Sequence, residues 1–307
     1  MDQQLLVFVT VAEKENFSRA AEELHMTQPA VSQYIQALEN TLGTRVLERS
    51  NKYVRLNKAG EIVYHHAKEI VGLYSKMQHL IDDLTNNASG KLSIGASYTF
   101  GEYILPHYIA QMQTTFPLIN PSITIGNTKE IAELVHAHQL DVGIIEGDLK
   151  DNQLHIVPII EDSMYVIAAS SHRLSQIEKE VGAADIEKEP WIVREIGSGT
   201  REASEKLFKS LGIMPKKILE FGSTQLIKES VESGLGISLL SQWAFRKEQS
   251  LGTIKVLKIK NLNLTRKFSI IVRAPYQTKA LEVFIDLLHD KQILASLTTT
   301  NSVIDLK

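Results

Sequence analysis

Residues 17–38 read FSRAAEELHMTQPAVSQYIQAL, and this stretch decides what the N-terminal part of the chain is. Ala20, Ala21 and Leu24 form the apolar side of a short helix predicted from about Ser18 to His25, with Ser18 as its N-cap. A second helix starts near Thr27 and Pro29. Threonine caps, and proline is tolerated in a first turn because its missing N–H has no helical partner there. Val31, Ile35 and Leu38 follow at i, i+4 and i+7, and Leu42-Gly43 ends the helix on a C-terminal glycine. Two short helices joined by a tight turn predict a helix-turn-helix. At about 100° per residue, Ile35 and Leu38 lie within about 40° of Val31, while Pro29, Ser32, Gln33 and Gln36 lie opposite. No charge occurs from Thr27 to Leu38. Glutamine can hydrogen-bond adenine in bidentate fashion, and serine can contact a base or a phosphate. The alternative reading is a helical bundle with a polar surface, although lysine and glutamate are the usual dressing of a purely solvated face.

Working outward, Leu5, Phe8, Val9 and Ala12 recur at helical spacing before this stretch. After it, Arg45–Arg49, Ser50-Asn51-Lys52 and Tyr53–Leu56 read as strand, turn and strand. A long helix is predicted from about Asn57 to Leu84. Val63, His66, Ile70, Leu73, Met77, Leu80 and Leu84 alternate steps of three and four along it, an apolar heptad seam of the kind that pairs helices. The seam could also be buried within one chain. Asn86–Gly90 is a polar stop.

The whole chain of 307 residues carries a net charge of −3 and a pI of about 6.4, which by itself argues against nucleic acid. The local balance differs. Residues 1–43 hold Lys14 and Arg19 against six carboxylates, a net −4, whereas 44–58 hold Arg45, Arg49, Lys52, Arg55 and Lys58 against Glu48, a net +4. The positive charge thus sits on the hairpin, placed to straddle a phosphate backbone, where contacts position a protein and supply salt-dependent affinity. A charged hairpin is also how a solvated sheet edge reads. Hydrophobic residues at 43% and charged ones at 22% exclude wholesale disorder. No stretch approaches the apolar length of a membrane helix, and Met1–Gln4 does not begin a secretory signal, so a cytoplasmic location is expected. The absence of cysteine excludes disulfides, thiolate metal sites, a cysteine nucleophile and thiol-based redox sensing.

Phe17–Leu24, Thr27–Ser32, Ile35, Leu38-Glu39, Leu42-Gly43, Leu47, Arg49 and Leu56–Gly60 together resemble the LysR-type transcriptional regulators, in order and at the family's spacing. Asn57-Lys58 stands where the family often has threonine, and the cap function is preserved. The resemblance implies an all-α winged helix-turn-helix domain (1–58), a coiled-coil linker helix (59–90) and an α/β effector domain (91–307) of the type 2 periplasmic-binding-protein fold. It implies base reading by Gln28, Pro29, Ser32 and Gln33, with Thr27 and Gln36 on the same helix. Backbone contacts would come from Ser18, Arg19, Arg49, Lys52 and Arg55. The implied partners are promoter dyad sites in double-stranded DNA, a second copy through the 57–84 helix, a homotetramer beyond that, and RNA polymerase.

From Gly90 onward strands alternate with helices, which indicates an α/β unit with a largely parallel sheet. Predicted strands are 91–95, 122–126, 141–145, one ending at 169, 191–193, 218–221, 236–240, 253–259 and 267–272. Predicted helices are 101–115, 129–138, 201–211, 225–233, 242–249 and 278–288, and residues from about 296 read as a loose tail. In the periplasmic-binding-like arrangement, one subdomain takes 91–162 and 267–295, the other 163–266, with crossovers near 161–164 and 265–268. Ligands of such sheets bind beyond the carboxyl ends of strands, where helix N-termini favour anions. The turns there carry Ser97-Tyr98-Thr99, Asn127-Thr128, Gly197–Arg201 and Gly222–Thr224. Ordinary helix capping explains any one of them equally well. The expected effector group is Ser97, Tyr98, Thr99, Asn127, Thr128, Glu146, Glu195, Gly199, Thr200, Arg201 and Thr224. The expected ligand is a small anion: sulfite, a sulfate-like species, a phosphorylated metabolite or a carboxylate. Glu195-x-Gly-Ser-Gly-Thr-Arg201, the run 94–106 and Gly143–Gly147 resemble the LysR-type subgroup that regulates carbon fixation and sulfite reduction or cysteine synthesis. An enzyme or a solute-binding protein of the same α/β fold is the rival function. The sequence contains no HExxH, no G-x-S-x-G and no Walker loop, and its adjacent or i, i+2 histidines point apart on a helix. No catalytic residue, cofactor or metal is expected.

Overall fold

Phe8, Val31, Ile35, Leu38 and Val46 are fully or almost fully buried and make the centre around which the N-terminal helices close. The computed structural model describes residues 2–49, 53–82, 88–260, 262, 264–273, 278–290 and 293. The chain forms two units that part between Asn86 and Asn87. In the first, α1 (Asp2–Lys14), α2 (Phe17–Glu23) and α3 (Gln28–Leu42) precede the antiparallel pair β1 (Leu47–Arg49) and β2 (Val54–Leu56), and α4 (Lys58–Asp82) follows. The cap of α2 is Asn16, not Ser18. Asn16 is extended and its Oδ1 accepts from the N–H groups of Ser18 and Arg19, at 2.9 and 3.0 Å. Ser18 is itself in the first turn, so its N–H is one of the donors needing a cap. Thr27 caps α3 as expected, and Gly43, in the left-handed region at φ 67°, closes it with N–H bonds from Gly43 and Thr44 back to Asn40 and Glu39. Gly60 is required by a close approach: a Cβ there would stand 2.0 Å from the carbonyl oxygen of Val46, so only glycine lets α4 start against the hairpin.

The second unit holds β3 (Gly90–Ser97), α5 (Tyr98–Tyr103), α6 (Leu105–Thr115), β4 (Ile119–Gly126), α7 (Thr128–His136), β5 (Val142–Glu146) and β6 (His155–Ala169). There follow α8 (Ala183–Glu187), β7 (Trp191–Arg194), α9 (Gly199–Leu211), β8 (Ile218–Phe221), α10 (Thr224–Glu232) and β9 (Ser238–Ser241). The last are α11 (Gln242–Leu251), β10 (Ile254–Val256), β11 (Leu264–Val272) and α12 (Lys279–His289). Strand order in the main sheet is β10-β6-β11-β5-β3-β4, with β9 also on β6. β3 pairs in parallel with β4 and β5, whereas β11 runs antiparallel to β5 and β6. One core gathers Leu92, Ile94, Phe100, Tyr108, Ile144, Phe268 and Phe284; another gathers Val166, Trp191, Leu207 and Leu239. The long strands β6 and β11 run through both, and Asp162 faces Arg266 in their register.

The helix expected at 101–115 is two helices broken at Ile104. Pro106 in the first turn of α6 has no N–H to continue the α5 ladder. The first half of β6 was not assigned from the sequence: its apolar run 156–160 is interrupted by Pro158, which reads against a strand interior, and the polar pair Glu161-Asp162 follows. α8 and a single 3₁₀ turn at Arg173–Gln176 also went unpredicted; both are shorter than two helical turns and leave no periodicity. The residues expected to form the tail lie outside those described.

Removing the side chain of Ile35 empties the centre of the N-terminal core, so Ile35→Ala should cost about 2–5 kcal/mol in denaturant unfolding of the full chain followed by circular dichroism. Gln36→Ala, on the exposed face of the same helix, should stay within about 0.5 kcal/mol. Equal losses would contradict the division of α3 into a buried and an exposed face.

Candidate functional site

On α3, the residues opposite the core are displayed together. Gln28, Pro29, Gln33 and Gln36 are exposed and Ser32 half-exposed, with Gln28 Nε2 donating to Ser32 Oγ at 3.3 Å. Thr27 Oγ1 is committed to the helix, accepting from the N–H of Ala30. Among the described residues no side-chain hydrogen bond ties down the amides of Gln33 and Gln36, and Gln36 shares a surface pocket with Glu39, Arg45 and Arg49.

The hairpin beside this face is held by one carboxylate. Glu39 accepts from the N–H of Val46 at 3.0 Å through one oxygen and pairs with Arg49 Nη2 at 3.1 Å through the other. Arg49 also lies over the Phe17 ring, 4.9 Å from its centroid. The guanidinium expected to meet phosphate is therefore pre-positioned, with its apolar face covered. Arg55 stacks on Tyr53 at 5.4 Å, and Ser18 and Arg19 are exposed at the start of α2. Lys52 lies outside the described residues.

The expected seam of α4 divides into two faces. Val63, Ala67 and Val71 turn inward onto the N-terminal core, joined by the bonds of Tyr64 and Lys68 to Glu13. Ile70, Leu73 and Met77 are each 48% exposed and Ile62 is 63% exposed, so a second apolar stripe stays uncovered in one chain. Its first member is Ile62, not Val63, because Val63 is needed by the chain's own core. Leu80's side chain and Leu84 lie outside the described residues.

In the second unit most of the expected effector residues meet, but around a group that was not anticipated. Arg266 on β11 is buried. Its Nη1 lies 2.6 Å from Glu146 Oε2, its Nε donates to Asp162 Oδ2 at 2.7 Å, and it donates to Thr200 Oγ1 and Thr99 Oγ1 at 2.9 and 3.0 Å. Glu146 Oε1 accepts the N–H groups of Thr99 and Phe100 at the start of α5, at 2.7 and 3.3 Å. The helix terminus that was to receive an external anion thus already holds an internal one. Thr128 Oγ1 donates to the Glu146 carbonyl at 2.9 Å and lies 3.2 Å from Ser97 Oγ. Gly199 allows this junction, since a Cβ there would stand 2.1 Å from the carbonyl oxygen of Glu146. Two carboxylates share one guanidinium, and burial pushes the Asp162 carboxyl above its ordinary range despite Arg266 and Ser241.

A second cluster holds Tyr98, Asn127, Glu195 and Thr224 around Arg194. Arg194 donates through Nε and Nη2 to the two oxygens of Glu195, both at 2.7 Å, and through Nη1 to Thr224 Oγ1 at 3.2 Å. The Tyr98 ring covers the guanidinium at 4.2 Å, and Asn127 Nδ2 donates to Glu195 Oε1 at 3.2 Å. Burial raises the Glu195 carboxyl, but Arg194, the backbone N–H of Glu195 and Asn127 together hold the group below the usual carboxylate range. Arg201 pairs with Glu205 at 2.7 Å and Glu220 at 2.8 Å, and its Nη1 also donates to the backbone carbonyl of Arg194 at 3.0 Å. The open groove nearby, about 440 Å³, lies between α7 and α9 along the outer flank of the 195–198 loop; Ser97, Thr99, Arg194 and Arg266 do not line it. Arg194, Arg266 and Asp162 were missing from the expected group. For Arg194 the available signal was a charged residue at the end of the apolar run 191–193; Arg266 and Asp162 stand beside Lys267 and Glu161, and nothing local marks them as buried.

Residues 3–61 match the family described as bacterial regulatory helix-turn-helix protein, lysR family, and residues 85–292 match the LysR substrate binding domain. The chain is 41% identical over 286 residues to the HTH-type transcriptional regulator CysL of Bacillus subtilis (strain 168), covering 92% of this chain and 95% of that protein. A full-length OxyR variant from Pseudomonas aeruginosa is similar with a TM-score of 0.70 at 25% identity, over 94% of this chain and 93% of that one. The regulatory domain of CcmR from Synechocystis PCC6803, solved in complex with 2-PG, is similar with a TM-score of 0.59 at 26% identity, over 66% of this chain and 96% of that one.

Arg266→Gln removes the cation that two buried carboxylates share. It should destabilise the chain by about 3–5 kcal/mol in denaturant melts at neutral pH. The loss should shrink as pH falls and protonation discharges Asp162, whose carboxyl burial already holds above its ordinary range. A loss independent of pH would show that the carboxylates do not carry the cost.

Proposed function

The chain belongs to the LysR family of bacterial helix-turn-helix regulators, a transcriptional regulator and not an enzyme, and from that premise we propose how its parts divide the work. Residues 1–58 read an interrupted dyad in double-stranded DNA, the 59–90 segment pairs two chains, and 91–307 bind a small anionic metabolite. The observation that carries the reading is the exposed, uncharged amide face of α3 beside the basic hairpin. Gln28, Ser32, Gln33 and Gln36 are placed for base edges in the major groove, and Ser18, Arg19, Arg49 and Arg55 for phosphates. One such module reads only a few base pairs, so two are needed. The stripe of Ile62, Ile70, Leu73 and Met77 supports a homodimer formed through α4, and further pairing makes the homotetramer. Its partner being DNA, we place it in the cytoplasm; among the described residues no helix is long and apolar enough to cross a membrane.

The effector reading draws support from the two arginine clusters and from the 2-PG complex of the CcmR regulatory domain. A ligand among Ser97, Thr99, Asn127, Thr128 and Thr200 contacts both halves of the second unit. It shifts the regulator only by binding one arrangement of those halves better than the other, and that difference is what DNA binding reads.

Gln33→Ala should cost about 1–3 kcal/mol in binding to the operator while leaving non-specific binding nearly unchanged, as measured by titrating both DNAs at fixed salt. Equal losses on both would take Gln33 out of base reading. Arg49→Ala should weaken binding to all sequences and lower the slope of log K against log salt by about one for each phosphate the protein no longer meets. An unaltered slope would contradict a phosphate role for Arg49.

A further inference from the structure

We infer that Glu195 is a built-in stand-in for the effector: its carboxylate fills the Arg194 fork, and a small oxyanion takes its place there. The inference rests on the effector reading above and adds where the anion sits and what it must displace.

Both guanidiniums at the junction are occupied by internal carboxylates, so an anion that is to be gripped by either arginine has to evict one of them. The two internal carboxylates differ in how firmly they are held. Glu146 is buried and fixed by the N–H groups of Thr99 and Phe100, by Arg266 and by Thr200. Evicting it would leave Arg266 with Asp162 as its one carboxylate and strand two helix-terminal donors. Among the described side chains Glu195 is held by Arg194 and Asn127 alone, and its side chain is 25% exposed while that of Arg194 is 1% exposed. The carboxylate is thus the plug between the guanidinium and solvent. It grips with two near-parallel bonds of 2.7 Å, the arrangement in which arginine takes a carboxylate, sulfate or phosphate group from outside.

The surroundings of the fork suit replacement. Thr224 Oγ1 and the Tyr98 ring hold the guanidinium from its other sides, so it keeps its orientation when Glu195 leaves. Asn127 Nδ2, which reaches Glu195 from β4's end of the junction, offers the ligand a third donor. Glu195 sits on the short loop from β7 to α9 with Gly197 at φ 96°, whose carbonyl accepts from the N–H of Lys129. Moving Glu195 therefore changes a loop that ties β7 to α7, which links ligand exchange to the arrangement of the two halves. The charge also favours this fork over the other cluster. With Glu195 withdrawn the Arg194 site is cationic, whereas Arg266 remains outnumbered by Glu146 and Asp162.

The test is calorimetric titration of the full chain with sulfate, inorganic phosphate and 2-PG at constant ionic strength set by chloride. Glu195→Gln keeps an acceptor for Asn127 but gives Arg194 a neutral, weaker partner. It should bind the preferred anion at least about tenfold tighter than wild type. The isosteric double variant Arg194→Gln/Glu195→Gln, checked for native circular dichroism, should lose that binding. Glu205→Gln removes the same charge from the neighbouring helix and should leave affinity unchanged. If wild type binds an anion, Thr200→Val weakens it, and Glu195→Gln does not tighten it, the stand-in is refuted and the effector cleft survives. Equal tightening by Glu205→Gln, or tightening that persists in the double variant, also overturns the inference. Absence of binding to all three anions by wild type and Glu195→Gln alike would overturn both the inference and the anionic-effector reading.

Discussion

A guanidinium buried away from water needs anions, and Arg266 finds two. Glu146 comes from the end of β5 and Asp162 from the middle of β6, opposite Arg266 in the β11 register. Buried ion pairs of this kind add little net stability, because desolvation offsets most of the attraction, yet removing one partner is costly. Their contribution here is geometric. Thr99 from one half of the unit and Thr200 from the other bond to the same cation, so the junction between halves closes in one arrangement. Gly199, the α5 terminus and Thr128 all follow from where Glu146 is held.

That arrangement changes what the helix termini mean. A free helix N-terminus attracts anions through unsatisfied N–H groups. Here α5 has Glu146 and α7 has the Asn127–Glu130 exchange, in which each residue's N–H bonds the other's side chain. Sites that looked vacant in the sequence are filled by the protein itself. A ligand then competes with a tethered carboxylate rather than with water, which makes the least firmly held carboxylate the sensitive point.

The N-terminal unit separates positioning from reading in a similar way. Arg49 is braced by Glu39 and Phe17, so in the proposed reading the wing's cation is ordered before it meets DNA. The same reading leaves the bases to neutral amides, which gain little from non-specific attraction. The net −4 of residues 1–43 beside the net +4 of 44–58 leads us to propose that general affinity for DNA is restrained in one chain and that strong binding falls to the paired assembly.

Local patterns were enough for much of this. The spacing of Val31, Ile35 and Leu38, the Thr27 cap, the Gly43 stop and the alternation of strands and helices after Gly90 all depend on residues within a few turns of one another. The amino-acid sequence by itself therefore determined the helix-turn-helix, its uncharged face, the basic hairpin and the α/β class of the second unit. It assigned Val63 to the outer seam because periodicity shows that a face is apolar but not what covers it. It also overlooked Arg266, whose partners stand 104 residues away at Asp162 and 167 at Thr99. Only the tertiary structure decided which carboxylate each buried arginine keeps, because burial makes a charge choose its partner through space, and one-dimensional order holds no record of that choice.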